Sequence, residues 1–210
     1  DLAAGLPMLA VELDVPVPRR VPLYLSAEGP KTLDLAGEIA EGVICGMGLS
    51  DEVVALTLEH LDIGARRSGR TVEDLDVWAL TRVNVGTDRR ALVDEIRMEL
   101  ASTAHHAFRF TLENKAVPPE HVERIKAVQA GYETRRHEAL GESPNARLMA
   151  DLQFLEYMVA RFGVVGTPEE CADQLRRTAH AGIRNFLFTG FVEDRQALIR
   201  ALGEQVLARV

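Results

Sequence analysis

The chain has 210 residues, of which 47% are hydrophobic and 27% are charged, and its formal net charge is −8. This is the composition of a globular protein that can bury a sizeable core. Because the chain is acidic and no run of Lys or Arg exceeds two residues, we expect no nucleic-acid partner. No apolar run approaches the length of a membrane span and no signal-peptide pattern is present, so we expect no membrane partner and a cytoplasmic location.

The first strand–helix unit follows a proline-punctuated stretch, residues 1–22, which we interpret as a connector. Leu23–Ala27 is a short apolar run typical of a buried strand. Pro30 fits the first turn of a helix, and Gly42 is placed to end that helix. Val43–Cys45 then predicts a second buried strand.

Two further units follow at a similar spacing. Ser50 is a good N-cap for a helix that reaches about residues 68–69. Leu75–Val85 predicts a third, longer strand, and Asp88 is placed to cap the next helix. These segments continue the alternation of strands and helices.

The middle of the chain, residues about 101–162, breaks this alternation. It has helical patterns without a strand between them, and we interpret it as a helical insertion. A weak strand at Val164–Val165 and a capping box over Thr167–Glu170 restore the alternation. Ile183–Thr189 predicts the last strand, and a final helix runs from about 194 to 208.

Alternating strands and helices with short connections predict an α/β fold with a parallel sheet. The pattern contains four clear strands and a weak one, whereas a closed (β/α)8 barrel needs eight strands and about 250 residues. Four units form either an open doubly wound sheet or half of a barrel.

The turn Ser26–Lys31 is the best candidate binding site. In a parallel sheet, ligands bind at the carboxyl ends of the strands, where this turn lies. Backbone N–H groups of Glu28 and Gly29 could contact a phosphate or a tricyclic ring, because glycine allows close approach and a helix begins at Pro30. The alternative is that Gly29 serves only the geometry of a tight turn.

The segment Gly46–Asp51 also follows a strand and precedes a helix. It resembles a dinucleotide fingerprint in which Asp51 replaces the third glycine, which would place a carboxylate where a pyrophosphate needs positive charge. We therefore favour a cofactor-lining loop that begins at Gly46, and keep nucleotide binding as a weaker alternative.

Arg82 and Asn84 lie near the carboxyl end of the longest strand. Alternation places them on the same side as Trp78 and Leu80, where they could contact a substrate inside a barrel. The alternative is a rim position in which Arg82 forms a salt bridge.

Other catalytic and metal-binding patterns are absent from the sequence. The six histidines form no HExxH or similar spacing, so we expect surface positions and no metal site. Cys45 and Cys171 lack a CxxC partner and predict buried, reduced thiols. No catalytic acid–base pair can be assigned.

Five segments together resemble the luciferase-like monooxygenases, a family of flavin- and F420-dependent oxidoreductases built as TIM barrels. The segments are 22–31 (PLYLSAEGPK), 35–44 (LAGEIAEGVI), 67–70 (RSGR), 165–170 (VGTPEE) and 181–188 (AGIRNFLF). Their order and spacing carry the resemblance, which covers most of residues 20–210. It implies that residues 23–210 are the C-terminal half of a (β/α)8 barrel, about strands 5 to 8, with the helical insertion at about 101–162.

The resemblance also implies a function. Family members transfer a hydride between a small organic substrate and F420 or FMN bound at the carboxyl mouth of the barrel. It assigns cofactor contacts to Ala27, Glu28, Gly29, Pro30 and Gly46, and we add Arg82 and Asn84 as substrate contacts. The catalytic His, Trp and Glu of the F420 dehydrogenases belong to the first half of the barrel, so the catalytic residues of this protein are unknown.

Two departures from the family pattern bear on the ligands. Many F420 relatives have two adjacent glycines in the turn where this chain has Glu28 and Gly29, and a carboxylate near a phosphate is unfavourable unless it points away. Sugar-phosphate-oxidising members carry a lysine after strand six, where this chain has 46–49 (GMGL). Glucose 6-phosphate is therefore an unfavoured substrate.

The competing hypothesis is a non-catalytic half-barrel that assembles with itself or with a partner chain. Four strand–helix units leave two open strand edges, which proteins rarely expose. A homodimer could cover these edges.

Overall fold

Five parallel strands form the sheet of this protein, in a computed structural model that describes residues 21–137 and 142–210. The strands are β1 (Tyr24–Ala27), β2 (Gly42–Cys45), β3 (Asp76–Val85), β4 (Gly163–Gly166) and β5 (Asn185–Thr189). β2 and β5 lie on opposite sides of β3, because both pair with Trp78 and Ala79. β1 pairs with β2, and β4 pairs with the last four residues of β3, beyond the end of β2.

Helices connect the strands and cover the sheet. They are α1 (Pro30–Ile39), α2 (Asp51–Arg67), α3 (Arg89–Glu95), α4 (Arg97–Ala107), α5 (Val122–Gly131), α6 (Pro144–Arg147), α7 (Leu152–Phe162), α8 (Pro168–Ala181) and α9 (Arg195–Ala201). None of the described helices is long and apolar enough to cross a membrane. The predicted connector, residues 1–22, lies outside the described residues except for its last two positions.

Local sequence signals set several helix starts. The capping box is confirmed, because Glu170 N–H donates to Thr167 Oγ1 (3.3 Å) and Thr167 N–H donates to Glu170 Oε2 (2.8 Å). The Asp88 cap is confirmed as well, since its carboxylate accepts from the N–H of Ala91 at 3.1 Å. Ser50 occupies the N-cap position of α2 without a side-chain hydrogen bond.

The prediction that Gly42 ends the first helix is wrong. α1 ends at Ile39, and Gly42 begins β2. A Cβ at Gly42 would lie 2.1 Å from the ring of Tyr24, so the missing side chain leaves room for that ring. The Tyr24 hydroxyl then donates to Asp76 (2.5 Å) and links β1 with β3 at the end of the sheet where the strands begin.

α1 and α2 pack so closely that their backbones touch. A Cβ at Gly64 would lie 1.9 Å from the carbonyl oxygen of Asp34, and a Cβ at Gly37 would lie 2.1 Å from that of Leu61. This contact fixes the position of α1, which begins directly after β1.

Among its described residues, 86–137 and 142–162, the region between β3 and β4 contains helices joined by turns and loops, and no strand. The helix predicted after Asp88 is divided at Ile96 into α3 and α4, and Ile96 itself is fully buried. The interpretation of residues 101–162 as an insertion stays a prediction.

The two outer strands are less covered than the inner ones. Tyr24 in β1 is 44% exposed and Leu187 in β5 is 41% exposed, whereas Val43 in β2 is fully buried. The helices beside the outer strands also expose apolar side chains, with Ile39 at 45% and Ile199 at 68%. Apolar side chains are therefore exposed on and beside β1 and β5, as well as elsewhere on the surface, for example at Phe110 and Leu152.

Candidate active site

A cavity of about 720 Å³ opens beside the carboxyl end of β1. One side, which we call the turn wall, is formed by Ser26, Glu28, Gly29, Pro30, Lys31 and Thr32. The other side, which we call the loop wall, is formed by His106, Phe110, Thr111, Glu113, Asn114 and Lys115. The volume lies in the range of ordinary small-molecule sites.

The turn wall is built by the start of α1. Gly29 is the N-cap residue in an extended conformation, and its carbonyl accepts the N–H of Leu33 at 2.9 Å. Pro30 has no N–H, and those of Gly29 and Lys31 have no hydrogen bond in the described part of the chain. Two backbone donors and the positive end of the helix dipole are thus available to an anion.

The Glu28 side chain crosses over Gly46. A Cβ at Gly46 would lie 2.8 Å from both Cγ and Oε1 of Glu28, so only glycine allows this arrangement. The carboxylate therefore lies beside the residue that follows β2. The carboxylate also lies near Lys115 and His106 and raises the pKa of each.

The loop wall has an unusual backbone. Asn114 (φ 54°) and Ala116 (φ 47°) are both left-handed although neither is glycine. Such residues cost about 1–3 kcal/mol each and persist where the surroundings enforce them. Lys115 lies between them and is 5% exposed. Its Nζ donates to the carbonyl oxygen of Ala107 at 2.5 Å and lies 3.7 Å from the position of a Cβ on Gly29.

Arg161 holds the loop wall in place. Its guanidinium donates to the carbonyl oxygens of Lys115 (2.5 Å), Ala116 (2.9 Å) and Met47 (3.0 Å), and to the Tyr157 hydroxyl (2.9 Å). It is 3% exposed, so these are charge-assisted hydrogen bonds in a dry environment. The loop wall is thereby fixed to the loop after β2.

Burial lowers the pKa values of two basic groups at the cavity, Lys115 and His106. Desolvation lowers the pKa of Lys115, and the charge of Arg161 lowers it further, while the Glu28 carboxylate opposes both. Desolvation is also the main cause that lowers the pKa of His106, with the nearby Glu28 again opposing.

Three histidines and a tyrosine cluster at the loop wall, to which His106 belongs. The His105 ring stacks on Tyr132 (centroids 4.2 Å apart), and the His106 ring meets the edge of His137 at 5.5 Å. The Tyr132 hydroxyl lies 2.5 Å from Nδ1 of His137. His106 is exposed and His105 and His137 are partly exposed, which agrees with the predicted surface positions, although their rings contact one another. No group of three potential metal ligands occurs among residues 21–137 and 142–210.

The residues assigned from the sequence are not all at the cavity. Glu28, Gly29 and Pro30 line it. Ala27 is fully buried, and Gly46 lies outside the lining, in contact with the Glu28 side chain. The thiols of Cys45 and Cys171 are buried, as predicted, and burial raises their pKa values to about 12 and about 11.

Arg82 and Asn84 lie outside the lining of the cavity. Nε of Arg82 is 3.8 Å from Oε1 of Glu99 and is buried without a hydrogen bond. The Asn84 amide donates to the carbonyl oxygen of Leu92 (3.1 Å) and to Glu95 (2.9 Å), so it holds α3 against the sheet. Their contact with a substrate stays a prediction.

The sequence does not predict the roles of Lys115 and Arg161, because no local pattern marks either residue. The partners of Arg161 are as many as 114 positions away along the chain. Only the folded chain brings them together.

Comparison with known proteins identifies the family. The model of the luciferase-like monooxygenase family matches residues 10–185. The chain is 23% identical to the 5,10-methylenetetrahydromethanopterin reductase of Methanopyrus kandleri over 188 residues, which are 89% of this chain and 50% of that protein. It is 27% identical to the F420-dependent glucose-6-phosphate dehydrogenase of Nakamurella multipartita over 191 residues, or 90% of this chain and 48% of that protein. The chain thus spans about half the length of these relatives.

Solved structures show the same fold. The F420-dependent tetrahydromethanopterin reductase from Methanopyrus kandleri superposes with a TM-score of 0.63 at 22% identity, over 90% of this chain and 50% of that one. An F420-dependent secondary alcohol dehydrogenase, solved with an F420–acetone adduct, gives a TM-score of 0.64 at 20% identity, over 92% of this chain and 50% of that one. The parallel α/β sheet matches half of these structures, and the chain belongs to the luciferase-like monooxygenase family.

Proposed function

We propose that this chain supplies one side of the active site of an oxidoreductase that uses F420 or FMN to transfer a hydride to or from a small organic substrate. The observation that carries the proposal is the cavity between the turn wall and the loop wall. It lies at the carboxyl end of a parallel strand, where ligands bind in such folds. Family membership and the F420-dependent relatives support the choice of cofactor.

The residues at the cavity fit a cofactor with an anionic side chain. The volume of about 720 Å³ can hold a tricyclic ring together with part of a phosphate-bearing chain. The turn wall offers the free N–H groups of Gly29 and Lys31, and the loop wall offers the Lys115 ammonium. Glu28 also lines the cavity, where its side chain lies against Gly46 and its carboxylate lies near Lys115.

The bound cofactor would supply the hydride chemistry itself, and the protein supplies binding, orientation and electrostatics. In this proposal Gly29, Pro30 and Lys31 hold the cofactor by its side chain. Phe110 lies at the loop wall and is 88% exposed, so it can cover an apolar ring and exclude water from it. No residue of this chain is given the role of proton donor or acceptor.

The substrate is proposed only as a small organic molecule. The loop after β2 has no lysine, which disfavours glucose 6-phosphate even though some relatives oxidise it. Arg82 is retained as a candidate polar substrate contact, because its Nε is buried without a hydrogen bond near the carboxyl end of β3, although it forms an ion pair with Glu99 at 3.8 Å.

The test is equilibrium binding of FMN and of F420 to the purified protein that carries this chain. We expect the absorption band or the fluorescence of one cofactor to change on saturable binding. Mutation of Gly29 to Val should weaken that binding, because the branched side chain would meet Lys115 across the cavity. Absence of binding by both cofactors at millimolar concentration would contradict the proposal.

An assembly role is the second candidate function. It is favoured by the apolar side chains exposed along both sheet edges, such as Tyr24 and Leu187. In this case the chain forms a homodimer or pairs with a partner through the edges. Light scattering tests it, since a monomer with both edges open at micromolar concentration would exclude a stable homodimer.

A further inference from the structure

Aromatic contacts attach residues 129–137, which we call the 129–137 segment, to the last turn of α4. The His105 ring stacks on the Tyr132 ring with centroids 4.2 Å apart, and the His106 ring meets the edge of the His137 ring at 5.5 Å. The Tyr132 hydroxyl lies 2.5 Å from Nδ1 of His137, so the two contacts are linked within the segment. The attachment therefore depends on three imidazole rings, which are groups that titrate near physiological pH.

The surroundings of His105 suit only its neutral form. Its Nδ1 is buried and has no hydrogen-bond partner among residues 21–137 and 142–210. A neutral imidazole can keep one nitrogen free of a proton, whereas a protonated imidazole carries an N–H on both nitrogens. Protonation of His105 in this position would thus bury a charged donor without an acceptor, which is costly.

The charged groups that face His105 make its protonation less favourable still. Desolvation is the main cause that lowers the pKa of His105, and His106, Arg109 and His137 lower it further. The first two of these neighbours lie on or directly after α4, and the third lies on the 129–137 segment. The dipole of α4 favours a cation at this end of the helix, but the pKa is lowered on balance, so burial and the neighbouring charges outweigh the dipole.

The other elements around the cluster carry charges of both signs. Desolvation lowers the pKa of His106 most, while Glu28 in the turn wall opposes it and Arg82 on β3 lowers the pKa further. For these two histidines of α4, Glu28 is thus the carboxylate that favours protonation, and its effect falls on His106. The charged residues of the 129–137 segment itself are exposed, namely Glu133, Arg135 and Arg136.

Hydrogen bonds hold the segment in place when the imidazoles are neutral. Asn145 is fully buried, and its amide donates to the carbonyl oxygens of Glu133 (3.0 Å) and Arg136 (3.2 Å) and accepts the N–H of Glu133 (2.8 Å). The Gln129 amide donates to two carbonyl oxygens in the last turn of α4, at 2.8 Å and 3.1 Å. The segment therefore has a defined closed form.

We propose that His105 is the proton-sensitive residue of a pH switch, in which the 129–137 segment is closed on α4 when His105 is neutral and separates from α4 when His105 takes up a proton. In the open form the imidazole reaches water, where it titrates at about 6.5. The open form therefore binds a proton more readily than the closed form. Opening becomes more favourable as the pH falls below that value, and at neutral pH the segment stays closed.

The switch acts on the cavity through His106. The His106 ring lines the loop wall and contacts the ring of His137. Separation of the 129–137 segment removes this contact and changes the loop wall. The inference goes beyond the proposed function and does not depend on it, because the switch needs no cofactor.

Hydrogen exchange, measured by mass spectrometry on the purified protein that carries this chain, reports local opening without any ligand. One histidine that titrates at about 6.5 in the open form and stays neutral in the closed form raises the opening constant about 10-fold between about pH 7.5 and about pH 5.5. We therefore expect peptides from residues 129–137 to lose about 10-fold in protection over this range, after correction for the intrinsic pH dependence of exchange. The N–H of Glu133 is the best reporter, because it donates to buried Asn145. Peptides from α2 should keep their protection.

Two variants separate titration of His105 from a merely structural role. His105→Phe keeps a ring that can stack on Tyr132, loses no hydrogen bond at Nδ1 and takes up no proton, so its change in protection should be a third of the wild-type change or less. His180→Phe removes an exposed histidine of α8 and should respond to pH as the wild type does. If thermal unfolding shows that His105→Phe does not fold, His105→Gln replaces it. The glutamine takes up no proton either, so the pH response should again be lost even though the stack is missing at both pH values.

Three results would overturn the inference. The first is a wild-type change below about 3-fold in residues 129–137, which is less than one titrating histidine provides. The second is an equal loss of protection in α2, which would mean global unfolding rather than a local switch. The third is a pH response in the His105 variant that stays above a third of the wild-type response, which would assign the response to another group.

Discussion

The turn wall and the loop wall of the cavity are built in opposite ways. The turn wall is a continuous piece of chain, Ser26–Thr32, whose shape follows from a strand end, a glycine and a proline. The loop wall comes from α4 and the segment after it, and its backbone includes two left-handed residues that are not glycine. Its conformation depends on Arg161, which reaches it from α7.

This difference indicates how each wall can be disturbed. The turn wall stands on α1, which is fixed by backbone contact with α2, so steric changes between these helices should move it. The loop wall is held by hydrogen bonds to one buried guanidinium, so a single polar deletion should release it. Four predictions test this contrast.

The largest effect is expected for Arg161→Met. The change removes four hydrogen bonds and leaves the carbonyl oxygens of Lys115 and Met47 unpaired inside the protein. Since hydrogen bonds to charged groups contribute roughly 1.5–3 kcal/mol each, we expect a loss of about 4 kcal/mol in the free energy of unfolding. Urea unfolding measures it, with the exposed Arg147→Ala as the control. A loss below 1 kcal/mol would mean that the loop wall is held by other contacts.

Gly64→Ala should come next and should act on the turn wall. The added Cβ would lie 1.9 Å from the carbonyl oxygen of Asp34, so α1 and α2 must separate. Overpacking of this kind typically costs up to about 3 kcal/mol. Gly203→Ala is the matched control, because a Cβ there meets nothing within 4 Å. It should leave stability unchanged or raise it by up to about 1 kcal/mol. Equal unfolding midpoints for the two variants would contradict the backbone contact.

Glu28→Gln tests how the negative charge of the turn wall affects cofactor binding. It removes the carboxylate that opposes an anion beside Lys115, so affinity for the phosphate-bearing cofactor should rise by roughly 3-fold, as expected for a partly screened charge. Gly46→Ala should have the opposite effect, because its Cβ would push the Glu28 carboxylate out of its position. Fluorescence titration measures both variants, and affinities that change in the same direction would refute this placement of Glu28.

The smallest effect concerns pH and the two adjacent histidines of α4, His105 and His106. Burial lowers the pKa values of His105 and His106 below the ordinary value of about 6.5. The unfolded chain therefore binds more protons than the folded protein below that pH, and stability should fall as pH decreases from 7 to 5. His106→Asn should reduce this slope in urea unfolding, whereas His180→Asn, at an exposed position of α8, should not. An unchanged slope for His106→Asn would contradict the prediction.

The turn wall could be predicted from the sequence because its determinants are neighbours in the chain. A strand, a glycine at Gly29 and a proline at Pro30 specify a helix start within a few residues, whatever packs around them. The same holds for the capping box at Thr167 and the Asp88 cap, which were both predicted and confirmed. The role of Gly42 was missed because it depends on Tyr24, a contact between strands.

The amino-acid sequence alone thus determined the parallel α/β organisation, the helix starts and the turn wall, since strand and helix periodicity and capping are local properties. The tertiary structure alone decided the loop wall, the buried charge of Lys115 and the contact of Glu28 with Gly46. These depend on residues that are distant in the chain, and burial, which sets their electrostatics, is a property of the whole fold rather than of any segment.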